Sequence, residues 1–157
     1  MTKLILRLSE VVGIVCLAAF IIFICAQNEK SKTDPEYLSA QIISAADTEG
    51  LEERNSLYVR KKYGIDTDRL EFFSVYSSDS VMDVREYILI KSDDGYGQEV
   101  YSALESELNN KLALFEDYAP EESALLSRRV LVNEKGFIFL AVGKDSALLL
   151  DIFRSNL

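Results

Sequence analysis

Glu86 is the residue whose position most favours chemistry. In the strand-like run 84–91 (VREYILIK) side chains alternate between two faces. The face of Glu86 also carries Val84, Ile88 and Ile90. If this face packs against helices, the carboxylate lies in or beside the core, where it must find a partner or take up a proton. It is then either a ligand-binding or acid–base group, or a structural ion pair with Arg128 or Arg129, or a group at the rim of the core.

A second candidate is the segment 115–121 (FEDYAPE), which ends a long helical pattern with an aromatic pair and a proline. Phe115 and Tyr118 could floor a pocket, or Phe115 could belong to the core while Tyr118 caps the corner. We therefore take Glu86, Tyr118, Arg128 and Arg129 as binding candidates. No residue is assigned a catalytic role.

Residue types exclude several classes of catalysis and metal binding. The chain contains no histidine, and both cysteines, Cys16 and Cys25, lie in an apolar N-terminal run. Zinc binding and Cys/His or Ser/His catalysis are therefore excluded. The segment 93–95 (DDG) hints at a calcium loop, but Ile90 and Tyr101 stand where that loop needs acidic ligands. We expect a glycine turn there, no metal site and no cofactor.

The charge balance argues against nucleic-acid binding. The chain has a net charge of −9, and only Lys3, Arg7 and Glu10 are charged in its first 26 residues. The remainder therefore has a net charge of −10. Such a surface repels phosphate backbones and anionic lipid.

The N-terminal 26 residues predict a membrane anchor. The run 11–26 (VVGIVCLAAFIIFICA) has no charged side chain, and extension back to Leu4 gives a helix of about 35 Å, long enough to span the bilayer. Lys3 and Arg7 precede it, which favours a cytoplasmic N-terminus and an extracytoplasmic remainder. A cleaved signal peptide is the alternative, although bulky Ile24 fits poorly before a cleavage site after Ala26.

The rest of the chain predicts a linker at 27–33 and one extracytoplasmic domain at 34–157. Capping residues and apolar periodicity indicate helices at about 35–46, 55–63, 98–118, 120–128 and from 145 or 146 onwards. Strand patterns occur at 70–76, 84–91, 129–134 and 137–142. The order α-α-β-β-α-α-β-β-α predicts an α+β fold, with an antiparallel sheet of about four strands and helices mainly on one face.

The domain also resembles a known family. The segments that carry the resemblance are 57–58 (LY), 63–66 (YGID), 85–91 (REYILIK), 115–121 (FEDYAPE) and 136–138 (GFI). They resemble an uncharacterised family of small extracytoplasmic domains of Gram-positive bacteria, tethered by a lipoprotein signal or by one membrane helix. The resemblance implies an outward-facing bacterial domain in which Glu86 and Tyr118 are typical positions. It also suggests an accessory role near cell-surface polysaccharide acylation.

Three functional hypotheses follow. The first is a membrane-anchored accessory or binding module for a protein partner or a cell-envelope component, which an exposed apolar patch or an unpaired sheet edge would support. The second is a carboxylate-based envelope hydrolase or transferase, which needs Glu86 exposed in a pocket. The third is a small-ligand sensor, which the short cytoplasmic tail does not support.

Overall fold

The computed structural model describes Leu17, residues 33–93 and residues 95–157. Two units are distinguished along the chain, Met1–Lys30 and Ser31–Leu157, and the described residues belong almost entirely to the second. The predicted anchor at 1–26 lies outside the described residues except for Leu17, and the predicted linker at 27–33 does so except for Thr33. None of the helices in the described part of the chain combines the length and apolar character needed to cross a membrane.

From residue 33 onwards, the described chain forms five α-helices and five strands. The helices are α1 (Pro35–Ala45), α2 (Ser56–Tyr63), α3 (Gly97–Phe115), α4 (Pro120–Ser127) and α5 (Ser146–Ser155). The strands are β1 (Glu52–Glu53), β2 (Leu70–Ser77), β3 (Glu86–Ser92), β4 (Val130–Glu134) and β5 (Phe137–Val142). A 3-10 turn at Thr67–Arg69 precedes β2. The α+β class and the antiparallel sheet are confirmed.

Local signals set the ends of the first two helices. Asp34 caps α1 by accepting a hydrogen bond from the Glu36 amide at 3.0 Å, and Pro35 occupies the first turn. Asn55 caps α2 in the same way, and Gly64, with φ of 69°, ends it in the left-handed region. These caps set the first residue of α1 and both ends of α2.

The sheet has the strand order β1-β2-β3-β5-β4, with every neighbouring pair antiparallel. β4 and β5 are joined by Lys135 and Gly136, whose φ angles of 50° and 84° are those that a tight two-residue hairpin requires. All six residues of β5 are buried, as are all but Lys91 in β3. The two central strands therefore lie inside the molecule on both faces.

Helices cover both faces of the sheet, and the prediction that they lie mainly on one face is wrong. α2, α3 and α4 pack on the face that carries Ile88, Ile90, Ile138 and Leu140. α1 and α5 pack on the opposite face. The physical reason is the sequence of β5 (FIFLAV): it is apolar at every position instead of alternating, so both of its faces need a cover.

The sheet also has one strand more than predicted. The missed strand is β1, which consists of only two glutamates and is exposed at both positions. Two residues are too few for an alternating pattern, and charged residues are uncommon in strands. The other predicted elements are present with small shifts: β3 begins at Glu86, and α3 ends at Phe115 instead of near Tyr118.

Removal of the Phe153 ring tests the core between the sheet and α5. Phe153 has no exposed area, and its ring stacks on Phe139 with centroids 4.9 Å apart. We expect Phe153→Ala to lower the free energy of unfolding by about 3–5 kcal/mol, since it leaves a cavity. Urea unfolding followed by circular dichroism measures this change.

The matched control is Leu148→Ala on the outer side of the same helix, where Leu148 is 55% exposed. We expect a change within about 0.5 kcal/mol there. Equal effects of the two substitutions would contradict the packing of α5 described above.

Candidate functional site

Glu86 lies in the core, on the sheet face that the alternation predicted. Its side chain has no exposed area, and it stands at the start of β3 beneath α2 and α3. Val84, Ile88 and Ile90 on the same face belong to one apolar cluster with these helices. A carboxylate in such surroundings needs charged or hydrogen-bonding partners.

Two lysines and a tyrosine supply these partners. The Oε1 atom of Glu86 accepts hydrogen bonds from Lys62 Nζ at 2.7 Å and from the Tyr63 hydroxyl. Its Oε2 atom accepts one from Lys111 Nζ at 3.1 Å. Lys62 and Tyr63 come from α2 and Lys111 from α3. The single carboxylate thus joins two helices to the centre of the sheet. We call these four residues the Glu86 cluster.

The electrostatics of the Glu86 cluster keep the carboxylate charged. Burial alone would raise the pKa of Glu86, but the charges of Lys111 and Lys62 and the hydrogen bonds it accepts lower it below its ordinary value of 4.5. Burial lowers the pKa of Lys62, and the adjacent carboxylate outweighs this and raises it. Burial and the same carboxylate raise the pKa of Tyr63. The Glu86 cluster therefore consists of one anion, two cations and a neutral phenol, which pair with one another.

The hydrogen bonds continue from the Glu86 cluster to the edge of the sheet. Lys62 Nζ also donates to the Tyr58 hydroxyl at 2.8 Å, which accepts from Ser77 Oγ at 2.9 Å. Arg54 Nε in turn donates to Ser77 Oγ at 3.0 Å. Within the described part of the chain, every buried side-chain nitrogen or oxygen has a hydrogen-bond partner. No oxygen of Glu86 is left to face a substrate.

The other predicted site residues do not join Glu86. Tyr118 is 62% exposed, and its ring stacks on that of Phe115 at 5.5 Å. Arg128 Nε donates to the Ala124 carbonyl at 3.2 Å. Arg129 donates to the Leu126 carbonyl at 3.0 Å and to Asn109 Oδ1 at 2.7 Å.

The expected pairing of Glu86 with Arg128 or Arg129 is therefore wrong, because Lys62 and Lys111 occupy both of its oxygens. The hydrolase hypothesis needs Glu86 to be exposed in a pocket. This expectation is wrong as well, because Glu86 has no exposed area. The prediction that Phe115 belongs to the core is confirmed, since it is 6% exposed.

Metal binding has no support in residues 33–93 and 95–157, where no three acidic, cysteine or histidine side chains are placed to hold an ion. Gly95 has φ of 85°, as the expected glycine turn requires. Asp94, part of the rejected calcium motif, lies outside the described residues.

The outer edge of β2 is a feature that the sequence reasoning missed. β1 pairs only with Tyr76 and Ser77, at the end of β2. The rest of the strand, Leu70 to Ser74, has a strand neighbour on the β3 side alone. An edge of this kind presents main-chain donors and acceptors that another extended chain can use. No sequence pattern indicates this open edge, because it depends on the length of β1, which is too short to be predicted.

A groove runs beside this edge, between α1 and β2, with a cavity volume of about 470 Å³. Phe72 and Tyr76 from β2, with Ala40 and Ile43 from α1, provide its apolar lining, and Glu36 and Glu53 are its acidic members. The pKa of Tyr76 is raised, first by burial and then by the Glu53 carboxylate, which therefore lies close to the groove. We call this feature the β2 groove.

The opposite edge of the sheet, at β4, differs in chemistry. β4 pairs only with β5. The cavity beside it has about 300 Å³ and is lined by Tyr101, Glu105, Ser127, Arg129 and Leu131. Arg129 is already engaged by Leu126 and Asn109. The β2 groove is therefore the apolar candidate for binding, and the β4 edge is the polar one.

Comparison with known proteins assigns the family. The model of a domain of unknown function, DUF4358, matches residues 44–143. The chain belongs to this family. The matched range includes the whole Glu86 cluster, β1 and β2, but only the last two residues of α1. Searches of curated proteins and of solved structures returned no match.

Substitution of Glu86 tests the Glu86 cluster. Glu86→Gln leaves two ammonium groups facing each other without an anion, and we expect it to lower the free energy of unfolding at pH 7 by about 3 kcal/mol. The quadruple variant Glu86→Leu, Lys62→Met, Lys111→Met and Tyr63→Phe removes all three charges and the buried hydroxyl that would lose its acceptor, and we expect it to recover most of this loss. Urea unfolding monitored by circular dichroism measures both.

The difference between the wild-type chain and Glu86→Gln should depend on pH. Because the pKa of Glu86 is lowered on folding, its contribution is present above its ordinary value of 4.5 and is lost as the pH falls through the folded value. The two stabilities should therefore converge below pH 4.5. A constant difference down to pH 2 would contradict a charged Glu86.

Proposed function

We propose that this domain is a membrane-tethered, extracytoplasmic accessory module that binds a protein partner through the β2 groove. The observation that carries the proposal is the combination of an open strand edge, Leu70 to Ser74, with an apolar groove beside it. Strand edges are recurrent sites of peptide and protein recognition, because main-chain groups supply part of the affinity and side-chain pockets supply selectivity.

The state of Glu86 supports a binding module over an enzyme. A general acid or base must come within hydrogen-bond reach of the proton it transfers. Glu86 has no exposed area, and Lys62, Lys111 and Tyr63 occupy its oxygens. The hydrolase or transferase alternative therefore has no observation in its favour.

The proposal of a membrane tether rests on the sequence. The apolar run 11–26 and the cations before it are typical of a single membrane span with the N-terminus in the cytoplasm. In this arrangement the domain is outside the cytoplasm, and its partner would be a membrane or cell-envelope protein. Tethering raises the effective concentration of such a partner, so that a modest binding surface suffices.

Photocrosslinking in intact cells tests whether a partner protein contacts the β2 groove. p-Benzoylphenylalanine is placed at position 40 on the wall of the β2 groove, in the full-length chain. We expect one discrete crosslinked protein after irradiation, because a bound chain would lie within contact of this wall.

The matched control is position 41, next in the same helix and exposed but outside the groove, and a second control is position 133 on β4. Neither is expected to give the product. A product from position 133 alone would move the interaction to the β4 edge. Absence of a discrete product from all three positions would contradict the binding module.

Labelling of a single new cysteine tests the topology. The two native cysteines, Cys16 and Cys25, are both changed to alanine, so that the new cysteine is the single thiol of the chain. We expect Asn110→Cys to react with a membrane-impermeant maleimide in intact cells, because Asn110 is exposed on α3. Thr2→Cys, in the predicted cytoplasmic tail, should react only after lysis. The reverse result would place the domain in the cytoplasm.

A further inference from the structure

We propose that β4 pairs with β4 of a second copy of this chain, so that two copies join their five-stranded sheets edge to edge. β4 is the outermost strand on its side of the sheet and pairs only with β5. The inference goes beyond the proposed function, because it concerns the edge of the sheet opposite the β2 groove. It follows from three properties of β4: the main-chain groups that it presents, its lack of edge protection and the self-complementary order of its residues.

The main chain of β4 points outward at Leu131 and Asn133. The tight two-residue hairpin between β4 and β5 makes its closing pair, Glu134 and Phe137, exchange both main-chain hydrogen bonds. Hydrogen-bonded pairs alternate along an antiparallel ladder, so Val132 also bonds to β5, whereas Leu131 and Asn133 do not. The N–H and C=O groups of Leu131 and Asn133 therefore face away from β5, where a further strand can use them.

β4 has no charge, proline or bulge from Val130 to Asn133. All four residues are at least partly exposed, and their register with β5 continues without a shift. β2, in contrast, has a register shift between Leu70 and Phe72. Charges, prolines and bulges are the devices that keep strand edges from pairing with other chains. The β4 edge is therefore open to a second strand.

One antiparallel register matches the side chains of β4 with themselves. In a symmetric pair of strands, the two-fold axis is perpendicular to the sheet, and a residue at the axis lies opposite its own copy. With Leu131 at the axis, Val130 of each copy lies opposite Val132 of the other. The two copies of Leu131 meet on the other face of the sheet. The centre of the pairing thus consists of apolar cross-strand pairs, which stabilise sheets.

The polar residues at the ends of β4 also fit this register. Glu134, which pairs with Arg154 of its own copy at 2.6 Å, lies opposite position 128, an arginine. Asn133 lies opposite Arg129, whose amide already donates a hydrogen bond within its own copy. The carbonyl of Arg129 is then the acceptor for the outward N–H of Asn133. Opposite charges across neighbouring strands are favourable, and no like charges face each other between positions 128 and 134.

The registers on either side fit less well. With Val132 at the axis, the apolar Val130 lies opposite Glu134. With Val130 at the axis, the apolar Leu131 lies opposite Arg129. Both arrangements place apolar side chains against charged ones at the centre of the pairing. The sequence of β4 therefore selects the register with Leu131 at the axis.

The charges beside the β4 edge are balanced, as a pairing of two copies requires. The cavity along β4 is lined by one acidic residue, Glu105, and one basic residue, Arg129. The two charged residues that line the β2 groove, Glu36 and Glu53, are both acidic. A symmetric pairing at β2 would bring these glutamates together, whereas a pairing at β4 brings together equal numbers of both signs. The β4 edge is thus the one suited to a second copy.

The pairing would leave the two β2 grooves at opposite ends of one continuous sheet. This follows from the strand order, in which β2 and β4 lie toward opposite edges. A partner protein with two binding segments could then occupy both grooves, and its second binding event would be intramolecular.

Disulfide crosslinking in native membranes tests the register. The full-length chain with Cys16→Ala and Cys25→Ala receives a single new cysteine and is oxidised with copper phenanthroline. We expect Leu131→Cys to give a disulfide-linked product of twice the mass of the chain, because the Cα atoms of a hydrogen-bonded pair are about 5.5 Å apart. The matched control is Val132→Cys. Its two copies would lie about 8 Å apart, beyond the reach of a disulfide, and we expect no product.

A mixed pair of chains tests the same register without a change at Leu131. One chain carries Val130→Cys, and a second chain with a different tag carries Val132→Cys. Residues of a non-hydrogen-bonded pair have Cα atoms about 4.5 Å apart, which a disulfide can bridge. We expect a product that contains both tags, and none from either chain produced alone.

Substitution of Asn133 tests the main-chain pairing. Asn133→Pro removes the outward N–H, which β5 does not use, and Asn133→Ala keeps it. We expect Asn133→Pro to lower the yield of the Leu131→Cys product at least about fivefold, and Asn133→Ala to leave it unchanged within about twofold. Circular dichroism establishes that both variants are folded.

A Val132→Cys product as strong as that of Leu131→Cys would overturn the inference, as would the absence of product from Leu131→Cys and from the mixed pair alike. A folded Asn133→Pro chain that keeps the full yield would place the contact outside β4 and overturn it too. In the photocrosslinking experiment above, a second copy bound at position 133 gives a product of twice the mass of the chain, distinct from the partner product of position 40. The inference and the proposed function can therefore fail separately. A position 133 product of another mass would make a foreign strand the occupant of β4 and overturn the inference.

Discussion

The carboxylate of Glu86 joins the three parts of the structure that would otherwise meet only through apolar contact. It projects from the central strand β3 and receives a lysine from α2, a lysine from α3 and the hydroxyl of Tyr63. An isolated charge at this depth is unfavourable, so the fold is consistent only if both helices lie where their ammonium groups can reach it. The hydrogen bonds then run through Tyr58 and Ser77 to Arg54 beside β1. A network of side-chain hydrogen bonds thus extends from the centre of the sheet to its edge.

The second constraint is the apolar character of the central strands. β3 and β5 are buried on both faces, and helices occupy both sides of the sheet. With its faces covered, the sheet of the described residues presents main-chain groups to another molecule along β4, along β1 and along the part of β2 that β1 does not pair. β1 covers only the last two residues of β2, and its glutamates add charge at that end. Charge, shortness and register shifts are common protections of strand edges against indiscriminate pairing. An edge that retains an apolar groove despite these protections is suited to a selective partner.

These two constraints put the paired charges of the Glu86 cluster in the interior and leave the β2 groove at the surface. The Glu86 cluster is buried and its charged groups pair with one another, so it contributes to the stability of the fold. The surfaces left for recognition are shallow, partly apolar and acidic. A family defined only as a domain of unknown function, and matched over residues 44–143, is compatible with such a module. The binding module that we propose would act by holding a partner in place.

The sequence alone determined the local helices and strands, and it determined which side chains of a strand share one face of the sheet. The Asp34–Pro35 start, the Asn55 and Gly64 caps and the bounds of β5 follow from hydrogen bonds and periodicity within about ten residues. The inward facing of Glu86 follows from strand alternation. Only the tertiary structure decided that Lys62 and Lys111, and not the arginines, meet this carboxylate, that helices cover both faces, and that β2 keeps an open edge. These outcomes depend on strand order and helix placement, which bring together residues more than twenty positions apart, and no local pattern in the chain encodes such distances.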